Sequence, residues 1–145
     1  KEIIDHNLLN IILNMTDKSY DKEMRVNSVI AISLLSNCES LRDPMHTLGA
    51  IDAILKMSMD PQEPMELRLF STLAIVHFAL NKQSINVLIE KGVMDLFDSF
   101  RDEDGEKDWD SQSVMSKDLE DQNILQTNIS WIFLALCNNG ISGLQ

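Results

Sequence analysis

The stretch DKSYDKEMRVNSVIAISLLSNCESLRDPMHTLGAIDAILKMSM, residues 17–59, lies without a gap over DPQEPMELRLFSTLAIVHFALNKQSINVLIEKGVMDLFDSFRD, residues 60–102. The shift of 43 pairs Asp17 with Asp60, Glu23 with Glu66, Arg25 with Arg68, Ser28 with Ser71, Ala31 with Ala74, Ile32 with Ile75, Gly49 with Gly92 and Asp52 with Asp95. Eight identities in 43 positions exceed the roughly two or three that ordinary residue usage gives. Between the matches the chemistry is kept, with Met24 over Leu67, Ile30 over Leu73, Leu35 over Phe78 and Met57 over Phe100. A chain with such a period is built from stacked units, each too small to bury its own apolar face.

Inside the period the apolar spacing is helical. Leu8, Ile11, Ile12 and Met15 fall on one helix face, and Ile51, Ile54, Leu55 and Met59 repeat nearly the same stripe. Gly49 and Gly92 stand just before the second and third of these helices, where a residue without Cβ permits a sharp corner. Asp60, Pro61 and Glu63 read as N-cap, first helical position and capping-box partner ahead of a helix from about Met65 to Asn81. Asp17 is expected to do the same for a helix from about Lys22 to Ser36. No segment alternates polar and apolar residues between turn dipeptides as a strand would, so the chain reads as all-α.

At 145 residues with 44% hydrophobic composition, the chain can bury roughly two-thirds of its unfolded surface as one domain, residues 1–145. It opens on Lys1 and is expected to be part of something longer. No apolar run approaches the roughly 18 to 20 residues of a membrane span, so no direct membrane insertion is expected from this segment. Cys38 and Cys137 lie far apart without CxxC spacing, which favours free thiols and a reducing, cytoplasmic setting. A formal charge of −11 repels phosphate backbones, whose binding relies on Lys and Arg, so no nucleic acid is expected as partner.

With these residues placed, the chain resembles the armadillo repeat family. LGAIDAILKM and KGVMDLFDSF are similar to that family's second helix, and MRVNSVIAISLL, LRLFSTLAIVHF and QTNISWIFLALCNN to its third. HEAT repeats share the period, but the Gly before the second helix favours armadillo. The resemblance implies a right-handed α-solenoid of about three repeats, at about 1–37, 38–80 and 81–138. It also implies a concave groove lined by the third helices, at Asn27, Ile30 and Leu34, then Phe70, Leu73 and His77, then Asn128, Trp131 and Ala135. The Trp and Asn ladders with which nuclear import adaptors of the family hold basic peptides are not reproduced, since only Trp131 and two asparagines match them and the offset differs. A more apolar ligand is expected.

The third copy is longer than the others. Its insertion, residues 102–121, holds nine acidic residues and two lysines, or −7 of the total −11. Such a run reads as a solvated, mobile loop, lacking the apolar residues to offset its ordering entropy. The functional alternative is an acidic arm of Asp102, Asp104 and Asp108 with Trp109 as anchor, steering a basic partner. A calcium loop fits poorly, because setting Gly105 at its sixth position puts Phe100 first and Ser111 twelfth.

Nothing adds up to an enzyme. His6, His46 and His77 stand singly on different repeats, without zinc-ligand spacing. No Gly-rich phosphate loop, GxSxG elbow or HExxH occurs, and no cofactor is expected. Asp52 and Asp95 recur with the repeat itself, which favours a structural role over acid–base work. The eight methionines read as core filler rather than an adaptable binding surface. The expected function is therefore a non-catalytic scaffold that holds a segment of another protein. Two alternatives come by family analogy: a co-chaperone for heat-shock proteins or myosin, and an organelle-positioning adaptor held to a membrane by an acylated N-terminal segment outside this chain.

Overall fold

A computed structural model describes residues 6–105 and 116–139. They form eight α-helices: α1 His6–Asn14, α2 Lys22–Leu35, α3 Glu39–Leu48, α4 Ala50–Met59, α5 Met65–Ala79, α6 Lys82–Glu90, α7 Val93–Gly105 and α8 Ser116–Asn139. Among the described residues there is no strand. The order short, short, long of α3, α4 and α5 recurs in α6, α7 and α8.

The corners are as sharp as their glycines allow. Gly49 and Gly92 adopt φ of 87° and 97°, a left-handed backbone that L side chains rarely take. Gly49 closes α3 and opens α4 at once.

The helix starts differ from the sequence expectation in an informative way. Asp60 does not cap α5, which begins five residues later behind Pro64. Its Oδ1 instead accepts the Gln62 amide at 2.9 Å, and Asp17 Oδ1 accepts the Ser19 amide at the same distance. The two aspartates thus make the same local turn one period apart, a bond that Asp forms readily outside helices. The cap of α2 is Asp21, whose Oδ1 accepts the Met24 amide. Glu63, expected as a capping-box partner, is buried and paired with Arg25.

The three long helices pack side by side, α5 lying between α2 and α8. Lys22 reaches Glu66 at their N-terminal ends, and Ser33 meets His77 toward their C-terminal ends, so α2 and α5 run parallel. The shorter helices pair in the same sequence, α3 against α6 and α4 against α7. The core runs through this array: Val29 and Ile32 of α2, Ile54 of α4, Leu67, Ile75 and Phe78 of α5, Leu96 of α7, and Leu125, Ile132 and Leu136 of α8. Leu67, Ala74 and Phe78 of α5 correspond to Leu125, Ile132 and Leu136 of α8, and all six are buried.

The expected loop over 102–121 is shorter at both ends, because α7 runs to Gly105 and α8 already starts at Ser116. Glu120 and Asp121 lie near the start of α8, where acidic side chains complement the positive end of the helix dipole. Charge that marks a loop by composition is here helix-compatible. No described helix is long and apolar enough to cross a membrane.

Candidate interaction surface

The outward faces of α2, α5 and α8 carry exposed apolar side chains. Leu34 is 62% exposed, Leu73 37% and Trp131 55%. Ile30 and Phe70 are half-buried beside them, packed on the core from its outer side. Ile30, Leu73 and Trp131 occupy the same position on three neighbouring helices, so the side chains form a row across the array. An exposed apolar row of this kind is rarer on a monomer than scattered single hydrophobes.

The polar residues expected in the groove divide. Asn27 is exposed. Asn128 instead turns its amide back across the helix interface, Nδ2 donating to Thr72 Oγ1 at 3.0 Å and to the Leu69 carbonyl at 3.4 Å. His77 does likewise toward α2, with Nδ1 3.0 Å from Ser33 Oγ and 3.3 Å from Ser33 O. Both are rungs between adjacent helices. Ala135, also expected to line the groove, is buried in the core. It stands one turn past Trp131, beside the buried Ile132 and Leu136. Asp108 and Trp109 of the acidic arm lie outside the described residues, as do the side chains of Asp102 and Asp104.

A separate polar cleft of about 620 Å3 opens on another side, between the α1–α2 turn and the α4–α5 turn. At its floor Arg25 donates to the Thr16 carbonyl through Nε at 2.9 Å and to both oxygens of Glu63, its Nη2 making a short charge-assisted contact. Both side chains are more than nine-tenths buried. The exposed Lys18 closes the rim, 3.1 Å from Asp60 and 3.9 Å from Glu63. Asp60 titrates below the usual carboxylate range, chiefly because the Gln62 amide bonds its charged form, with Lys18 adding to the effect. Arg25 and Lys18 both face acids here, so the cleft ties the α1–α2 turn to the α4–α5 turn.

This pair was hidden in the sequence behind two ordinary readings, Arg25 as a repeat identity and Glu63 as a cap. The available signal was an arginine recurring inside an apolar helix stripe, since a buried guanidinium requires partners. Arg68 repeats the device in other chemistry: Nε donates to the Ser58 carbonyl at 3.2 Å, and the guanidinium lies 5.0 Å from the Phe100 ring centre.

His46 sits half-buried on α3. Burial pushes its pKa below the usual 6.5, and nearby Asp43 only partly offsets this. Its Nε2 lies 2.9 Å from Ser84 Oγ, linking α3 to α6. Among the described residues no group of three His, Cys, Asp or Glu side chains is placed to hold a metal ion. Compared with family models, curated proteins and solved structures, the chain finds no match.

Proposed function

We propose that this chain is a non-catalytic interaction scaffold, an armadillo-type right-handed solenoid of about three repeats that binds an apolar segment of another protein along α2, α5 and α8. The observation that carries the reading is the exposure of three apolar side chains, Leu34, Leu73 and Trp131, one on each long helix. The polar side chains beside them, His77 and Asn128, are engaged in holding the helices together. A helix or extended segment with apolar anchors at matching intervals would seat on such a row, and aromatic residues supply a large share of binding energy at interfaces of this type. The soluble, cytoplasmic setting belongs to the same proposal, supported by two free cysteines.

The test is affinity capture followed by mass spectrometry, with the wild-type chain compared against Leu73→Glu/Trp131→Glu. A partner recovered by wild type and lost by the folded double variant supports the row as the binding surface. A partner retained equally by both contradicts it.

A further inference from the structure

Among the described residues, one apolar face of α2 and one face of α8 correspond in the repeat to faces that are buried elsewhere in the array. On the side of α2 away from α5, Met24 is 40% exposed, and with Ile12, Met15, Asn27 and Ala31 it borders an apolar hollow of about 250 Å3. One period later the corresponding Leu67, Leu55, Ser58 and Ala74 are buried inside the array. On the side of α8 away from α5, Leu134 is 48% exposed and lines a second hollow with Thr127, Ser130 and, at its edge toward the row, Trp131. The α5 counterparts of Thr127 and Ser130 are Leu69 and Thr72, the two groups that accept the Asn128 amide. Asn27 holds the position of Asn128 on α2. The two open faces are therefore the two halves of an interface that the chain already makes internally between α5 and α8.

We propose that copies of this chain associate head to tail, α8 of one packing on α2 of the next. Leu134 covers Met24, and the Asn27 amide donates to Ser130 Oγ and the Thr127 carbonyl of the other copy. Ser130 Oγ donates to the Gln126 carbonyl at 2.9 Å, as Thr72 Oγ1 donates to the Leu69 carbonyl at 2.8 Å, so both hydroxyl oxygens keep lone pairs for an incoming amide. The contact joins unlike faces and does not close on itself, so it gives open chains and not only dimers. Each copy carries −11, and this repulsion opposes association. Added salt screens it and should strengthen the contact.

The experiment is sedimentation velocity on the 145-residue chain over about a hundredfold range of concentration reaching the millimolar, at low and high salt. Wild type is expected to show mass rising with concentration, more steeply in high salt. Met24→Glu and Leu134→Glu, both at exposed positions off the Leu34, Leu73 and Trp131 row, each remove one face and should stay monomeric alone. Mixed together they should form a dimer that grows no further, since one intact head and one intact tail remain. Circular dichroism establishes that each variant is folded, and a misfolded one is replaced by Ala31→Glu or Ser130→Glu. Wild type that stays monomeric throughout overturns the proposal and leaves the faces to another occupant. A mixture that forms no dimer, or either variant self-associating as strongly as wild type, overturns it equally. Partner binding on the row is read separately, so either reading can fail alone.

Discussion

Removing the carboxylate of Glu63 isolates the energetic role of the buried pair. In Glu63→Ala the guanidinium of Arg25 keeps only its bond to the Thr16 carbonyl, and with less than a tenth of either side chain exposed, water offers little replacement. Breaking one side of a buried ion pair costs about 3–5 kcal/mol. The loss of Lys18, 3.9 Å away and largely exposed, adds little, at most about 0.5 kcal/mol. Against a total stability of roughly 5–15 kcal/mol, a cost of this size moves the urea midpoint by about 2 M at an m-value near 2 kcal/mol/M. Urea unfolding followed by helical circular dichroism measures it. The double variant Arg25→Met/Glu63→Leu removes both charges at similar volume and should recover most of the loss. A shift for Glu63→Ala below about 0.5 M, or a double variant no more stable than the single one, would refute the assignment of this pair as a buried tie between the two turns.

Two further outcomes are expected. Ala74 is buried and its repeat counterpart Ala31 only half-buried, so Ala74→Asp should cost about 3–5 kcal/mol and Ala31→Asp about 1 kcal/mol or less; thermal midpoints that fall equally would contradict the packing of α2 on α5. His46 has a folded-state value below its usual 6.5, so the unfolded chain takes up the proton first and stability should decline as pH falls below 6.5 until the folded-state value is passed; His46→Gln should flatten that decline in pH-dependent urea titrations, and an unchanged slope would count against burial as its cause.

The period of 43, the all-helical architecture and both glycine corners were legible because each rests on local spacing or on a backbone conformation that one residue type tolerates. Helix starts were less so. Asp17 and Asp60 were found as equivalents, but an Asp before a helix can cap it or close a turn, and only the register of the following residues decides. Leu34, Leu73 and Trp131 are exposed on the three long helices, but Leu34 shares its repeat position with His77 and Ala135, and it is Ile30 that stands level with Leu73 and Trp131. Ala135 is buried rather than groove-lining, because a small residue fits either face of a helix. Asn128 and His77 share a face with the row, yet their side chains turn toward polar partners on the neighbouring helix. That choice depends on Thr72 and Ser33, far away in sequence. The Arg25–Glu63 pair, 38 residues apart, is invisible to any local pattern for the same reason.

Partner binding energy is proposed to reside on the row across α2, α5 and α8, where Trp131 is the largest side chain. With a partner segment in hand, isothermal titration calorimetry of wild type and Trp131→Ala gives the direct answer. Truncating an aromatic anchor commonly costs about 2 kcal/mol, so the dissociation constant should rise about thirtyfold. The thermal midpoint of the free chain should change little, because Trp131 is 55% exposed. Unchanged affinity in a variant that remains folded would contradict the account.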